Sequence, residues 1–472
     1  MNKLKKYALS SLYDMSSGIS STKEQAGHGS PFVSFSTVFN NYFLPDELPD
    51  LMDTSTKEQE VYSIKKGDIL ITRTSETIDE LAMSCVATKD YPCATYSGFT
   101  KRLRPKTEGV AYYKYMAFYL RSAWFRKAVT NNAFMTLRAS FNEDIFSFLN
   151  VYLPDYDVQV RIGDFLYSIE QKIGVNKRIC AELESMAKTI YDYWFTQFDF
   201  PDADGKPYRF AGGAMEWNEQ LKRNVPFGWR TVRLGDVCTF RNGINYEKGC
   251  KGNRSYRIVN VRNITASRYL MDASDFDIIS LPREQADRYV LGEHDIIIAR
   301  SGTPGATRLI INPDDNVIFC GFIICCTPIA SEYRLFISQY LKKLEGTNAT
   351  KTGGSILQNV SQDTLKSLSM CLPNKATVKA FNAQIMPLVS KMDHVLRENR
   401  ELTKLRDWLL PMLMNGQATV ADAEEEVSKV IPFAPKTVEV RQAARNFGDK
   451  KTDDTADLVK AFMRRKKNDS KA

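Results

Sequence analysis

The sequence predicts an α+β protein written twice: a globular unit and a long helix, then a second globular unit and a second long helix, then a tail. Three observations carry this reading. Leu153 to Phe195 and Leu372 to Met414 each open Leu-Pro and continue as one heptad-patterned helix. The stretches before them also match, more faintly. Strands and helices mix there without regular βαβ alternation, which points to α+β rather than to a parallel α/β sheet.

In the first long helix the a positions are Ile162, Ile169, Asn176, Leu183 and Ile190, and the d positions are Leu166, Ile173, Cys180, Ala187 and Trp194. The second helix repeats the stripe with Phe381, Leu388, Val395, Leu402 and Leu409 at a, and Ile385, Met392, Asn399, Arg406 and Leu413 at d. An apolar stripe sustained this long indicates a coiled-coil seam. A repeat this long means a duplicated module rather than a solenoid.

Ahead of the helices, Leu9, Leu12, Gly18 and Ile19 match Leu234, Val237, Gly243 and Ile244. Phe32, Val33, Phe35 and Val38 match Ile258, Val259, Val261 and Ile264, and Asp68 to Arg73 matches Asp295 to Arg300. Gly98, Phe99 and Pro105 match Gly321, Phe322 and Pro328. The expected boundaries are 1–152 for the first unit, 153–200 for its helix, 201–225 for a Pro- and Gly-rich linker, 226–371 for the second unit, 372–416 for its helix, and 417–472 for a polar, partly disordered tail.

Composition excludes more than it assigns. The net charge of +8 permits a polyanionic partner without requiring one. Nine cysteines lack CxxC spacing and read as reduced, buried thiols of a cytoplasmic protein. No apolar h-region follows the basic start, and no run approaches the ~20 apolar residues that cross a membrane. The sequence contains no GxxxxGK[ST] loop and no Asn-Pro-Pro-Tyr, and its three histidines are isolated, so no catalytic or metal site is expected. Two strings imitate a metal-dependent nuclease: Pro154-Asp155 with Glu170 and Lys172, and Pro201-Asp202 with Asp204 and Lys206. Glu170 and Lys172 lie on a helix, about 200° apart around it, and the second string is too cramped for two strands sharing a metal.

At this point the chain resembles the specificity (S) subunit of Type I restriction–modification systems over residues 1–416. The matching pieces are Leu153-Pro154 leading into Gln159 to Ile162; Ile173 to Asn176; Leu183 to Ala187; and Trp194-Phe195. Further pieces are Pro226 to Trp229 with Leu234 to Val237, Gly292 to Arg300, and Leu405 to Pro411. Each is weak alone; their order and twofold repeat are specific. Ala376-Thr377-Val378 departs from the Glu-Gln pair the family often has there, and the tail after Gly416 is longer than a minimal member needs. The resemblance implies two target-recognition domains, each reading half of a split site in double-stranded DNA, separated by two long antiparallel coiled-coil helices. It implies docking of two modification (methyltransferase) subunits and of restriction (motor-nuclease) subunits, with S-adenosylmethionine, ATP and Mg on those partners and no cofactor on this chain. The competing reading is a structural scaffold of the same architecture that does not bind DNA.

Phosphate contacts give affinity, and contacts to base edges give specificity. The loops after the matched strands offer Arg73, Thr74 and Ser75 in one copy and Arg300, Ser301 and Thr303 in the other. The alternative for Arg73 and Arg300 is a structural carboxylate pair in each unit. Lys101, Arg102 and Arg104 align with apolar and neutral residues of the second copy, as expected if the copies read different half-sites; a solvated strand face is the alternative. Lys351, in a Gly-rich loop, is a further backbone-contacting candidate. Tyr193, Trp194 and Phe195, with Trp408, are candidate partner anchors, although aromatics at helical spacing also build cores. With the helices antiparallel and centred, Asn176 falls opposite Asn399, within contact distance, while Pro387 threatens a kink in the second helix.

Overall fold

A computed structural model describes residues 4–75, 80–132, 139–247, 249, 252–272, 275–347 and 359–430. The chain forms two compact units, one drawn from Met1–Gln171 and Leu402–Ala472, the other from Lys172–Glu401. The division falls inside both long helices.

The first unit is organised around a four-stranded antiparallel sheet in the order Tyr13–Ser17, Thr100–Pro105, Ile69–Thr72, Ser84–Val86. Beside it, Ala26–Val33 pairs antiparallel with Asp50–Met52 and parallel with Thr95–Tyr96. Lys5–Ala8 pairs with Asn150–Leu153 at the base.

The second unit repeats this topology. Its four strands run Cys238–Asn242, Ile323–Pro328, Ile296–Ala299, Thr307–Arg308. Arg254–Val259 pairs antiparallel with Asp277–Leu281 and parallel with Val317–Phe319, and Arg230–Arg233 pairs with Ser369–Leu372. A hairpin of Met215–Asn218 and Arg223–Pro226 lies in the segment expected to be linker.

The apolar strand Ile296–Ala299 is buried on both faces. Ile296 and Ile298 join the core shared with the long helices, while Ile297 and Ala299 join the core under the three-stranded sheet. Successive side chains point to opposite faces, so a strand covered on both sides reads as a continuous apolar run. In each unit a capped short helix precedes the last strand. Asn142 accepts from the Ile145 amide at 3.0 Å ahead of Glu143–Phe148, and Ser361 accepts from the Thr364 amide at 3.0 Å ahead of Gln362–Ser367. Such caps contribute about 1 kcal/mol each.

The long helices are Tyr156–Tyr191, closed by a π-helical turn at Asp192–Thr196, and Lys375–Asn415. The second runs through Pro387 without a break and ends where Gly416 takes φ +74°, which costs glycine no Cβ clash. The seam follows the predicted heptads, with slips: Tyr191 is buried where Ile190 is only partly so, and Leu183 is also only partly buried. Val389 is fully buried and Leu388 is only partly so, because a 3.6-residue turn drifts against a strict seven-residue repeat.

The segment expected to be a polar, partly disordered tail holds one more helix in its described part. Val420–Val430 is a helix that buries Ala423 and Val427. The remaining tail, from 431 onwards, lies outside the described residues. No helix among the described residues is long and apolar enough to cross a membrane.

Candidate nucleic-acid interface

Each unit builds the same tip where its central strand ends. In the first, the Gly18 and Gly98 backbones cross so closely that a Cβ on Gly18 would meet the Ser97 carbonyl oxygen at 2.2 Å. Ile19 donates to the Tyr96 carbonyl at 2.9 Å and Gly98 to the Ile19 carbonyl at 2.7 Å. In the second, a Cβ on Gly243 would meet the Cys320 carbonyl oxygen at 2.1 Å. There Ile244 donates to the Phe319 carbonyl at 2.9 Å and Gly321 to that of Ile244 at 2.8 Å. Only glycine admits such a crossing, which gives the matched Gly-Ile and Gly-Phe pairs their physical meaning.

This crossing sets the strand-end arginines. The Arg73 amide donates to the Phe99 carbonyl at 2.8 Å, and the Arg300 amide to the Phe322 carbonyl at 2.9 Å. Arg73 is exposed and lines an open cleft of 390 Å³ with Ile19, Ser20, Ser21, Thr74, Ser97 and Phe99. Arg300 is half-buried, with one guanidinium nitrogen 3.3 Å from the Gly321 carbonyl. Neither arginine has a carboxylate partner among the described residues. Ser301 and Thr303 stay partly accessible in a turn made possible by Gly302 at φ +75°, with Thr303 Oγ1 3.3 Å from Thr265 Oγ1. Thr74 is partly accessible, whereas Ser75 is buried in the short pairing of Thr74–Ser75 with Ala139–Ser140. Ser75 is thereby corrected to a structural residue. Lys351 and its loop lie outside the described residues.

The basic run of the first unit turns inward, which corrects its reading as a DNA-contacting face. Lys101 is buried and reaches Glu143 at 3.5 Å. Arg102 is buried over the Tyr96 ring and donates to the Ser63 carbonyl at 2.6 Å and more weakly to that of Val61. Arg104 grips Asp68 with two bonds of 2.8 and 2.6 Å, and those bonds hold its guanidinium above its usual pKa. These groups are spent on intrachain acceptors, since leaving a buried charge unpaired is costly.

The aligned strand of the second unit lacks these charges, yet its interior does not. Arg241, on the neighbouring strand, lies over the Phe319 ring at 5.3 Å. It donates to the Arg288 carbonyl at 2.8 Å, to the Val290 carbonyl at 2.9 Å, and to Asp295. Phe319, Val290 and Asp295 are the counterparts of Tyr96, Ser63 and Asp68. Ser16 faces Arg102 across the strands of the first unit, and Arg241 faces Cys325 in the second. The same guanidinium site is filled from opposite members of one cross-strand pair.

Among the candidate anchors, Trp194 and Phe195 are core and are corrected as such. They are 4% and 8% exposed and pack on Phe381 at 5.8 and 4.9 Å between ring centroids. Tyr193 and Trp408 are exposed. In the second unit the long helices run antiparallel, with Asn176 Nδ2 donating to Asn399 Oδ1 at 2.8 Å and to Glu398 at 2.7 Å. The contact predicted from the seam is present. In the first unit the seam instead holds an ion pair between Glu170 and Arg406, whose guanidinium lies 4.8 Å from the Tyr42 ring centre. Burial works against the Arg406 charge, but Tyr42 and Glu170 outweigh it and raise its pKa. Glu170 and Lys172, which imitated a nuclease string, are engaged separately, Lys172 with Glu398 at 3.3 Å. No cluster of metal-ligating side chains exists among the described residues.

Sequence reasoning passed over Phe99 and Phe322, which are 62% and 63% exposed beside the strand-end arginines. Their recurrence after a matched glycine was the signal that could have singled them out.

Comparison with known proteins agrees with the twofold plan. Residues 3–185 and 226–404 match the Type I restriction modification DNA specificity domain. The chain is 22% identical over 378 residues to the Type I restriction enzyme MjaIX specificity subunit of Methanocaldococcus jannaschii, covering 79% of this chain and 82% of that one. It is 22% identical over 460 residues to the HindI specificity subunit of Haemophilus influenzae, covering 82% and 94%. The fold is similar to the crystal structure of the Type I restriction–modification S subunit from M. genitalium, with TM-score 0.50, 14% identity, and 88% and 96% of the two chains covered. Two matched domains, each carrying the same glycine-crossed tip, place this chain in the family of Type I restriction–modification DNA specificity subunits, a non-catalytic component of those systems.

Proposed function

We propose that this chain is the DNA-recognition subunit of a Type I restriction–modification complex and that each unit reads one half of a split site. The observation that carries this is the tip built twice on one scaffold with different side chains around it. Arg73, Thr74, Ser20 and Ser21 surround the first tip; Arg300, Ser301, Thr303, Asn245 and Tyr246 belong to the second. Arginine, serine, threonine and asparagine are the side chains that bond phosphates and base edges. In this reading two modification subunits and the restriction subunits join the chain in the cytoplasm, and S-adenosylmethionine, ATP and Mg belong to those partners. Tyr193 and Trp408 are exposed aromatics suited to anchoring them.

The test is to map methylated bases in genomic DNA from cells carrying the modification subunits, with and without this gene. A split adenine-methylated motif that requires the gene supports the reading; an unchanged methylation map overturns it.

A further inference from the structure

Exposed apolar side chains are common and mean little singly. Phe99 and Phe322 differ because they recur. Each follows the crossing glycine, each carbonyl accepts the amide of the strand-end arginine, and they are 62% and 63% exposed. The backbone under them is fixed. Gly98 is bonded to Ile19 at 2.7 Å, the Phe99 amide donates to Ser97 Oγ at 3.2 Å, and Gly321 is bonded to Ile244 at 2.8 Å. A large apolar ring on a rigid tip beside a cationic side chain is organised in advance for its ligand. The neighbours change between the units: Ser20-Ser21 against Asn245-Tyr246, and Thr74 against Ser301. The phenylalanine does not change.

A constant side chain among variable ones fits a constant task. Phenylalanine offers no hydrogen bond with which to tell bases apart, but it can enter between stacked bases of any sequence and open the step. We propose that Phe99 and Phe322 are paired apolar wedges, each pressing into a base step of its half-site, while the variable residues around them supply specificity and Arg73 and Arg300 hold the adjacent phosphates. The proposal rests on the DNA-recognition reading above and adds a deformation of the duplex to it.

The experiment uses the full chain assembled with its modification subunits, on duplexes carrying the mapped split motif. 2-Aminopurine is stepped through each half, away from the methylated adenine. The wild-type complex should raise fluorescence at one step in each half-site. Phe99→Ala should abolish the rise in one half only and Phe322→Ala in the other, each weakening binding roughly tenfold, as lost base–aromatic stacking does. The methylated motif should stay unchanged. Phe99→Leu and Phe322→Leu, still apolar, should keep most of the signal. No unstacked step with wild-type complex, or one that survives both alanine substitutions, overturns the wedge. A changed base preference in the affected half also overturns it, because the ring would then be reading sequence. Failure of the wild-type complex to prefer the split motif over a scrambled duplex would instead sink the recognition reading itself.

Discussion

In the first unit the guanidinium over Tyr96 belongs to Arg102, which bonds the carbonyls of Val61 and Ser63. In the second unit the guanidinium over Phe319 belongs to Arg241, which bonds the matched carbonyls of Arg288 and Val290. Each arginine has a small residue opposite it, Ser16 in one unit and Cys325 in the other. The pair that faces itself across two strands is the unit of packing in a sheet. After duplication a side chain can move from one member to the other while the cavity keeps its occupant. Comparing aligned positions one at a time reads such a move as new chemistry. The tips teach the reverse: there the aligned phenylalanines are identical, and the environment varies.

The largest expected effect tests whether the two interiors are equivalent. Asp68 and Asp295 are 1% and 6% exposed and accept, respectively, from Arg104 and Arg241. Asp68→Ala and Asp295→Ala should each destabilise their own unit by about 3–5 kcal/mol, the cost of breaking a buried pair from one side. Peptide-resolved hydrogen exchange localises the loss; a small loss in one unit would break the comparison.

The helix pair supplies the next contrast. Arg406→Met leaves the half-buried Glu170 without its partner and should cost about 3 kcal/mol. The seam of the other unit centres on the Asn176–Asn399 amide pair, with the Lys172-paired Glu398 also accepting from Asn176, and Asn176 Oδ1 has no partner among the described residues. Replacing Asn176 and Asn399 together by leucine should leave stability unchanged or raise it, since both amides go at once and Glu398 keeps Lys172. A fall in the denaturation midpoint comparable to that of Arg406→Met would show that the two seams are not of different kinds.

A smaller effect sharpens the cross-strand exchange. Arg102→Cys should cost about 2 kcal/mol, the scale of hydrogen bonds to a charged group. Adding Ser16→Arg reproduces the arrangement of the second unit and should recover more than half of the loss. A double variant no more stable than the single one means that the two cavities are not interchangeable.

Much of this was legible in the sequence because it is periodic or local. The heptads gave the helices and the Asn176–Asn399 contact, and Asp68 to Thr72 and Asp295 to Ala299 gave the central strands. The exchange of Arg102 for Arg241 was not legible, because it depends on which residues face each other across strands far apart in sequence. Trp194 and Phe195 were ambiguous for a related reason. Helical spacing says that two aromatics share a region, but only the placement of Phe381 and Phe336 makes that region an interior. The helix at Val420–Val430 was missed because its acidic surface outweighs the two residues it buries.

The most direct test of the account exchanges residues 1–152 for the first domain of another specificity subunit and maps the methylated motif. The account predicts that one half of the motif changes and the other half is kept. A map in which both halves change, or neither does, would contradict it.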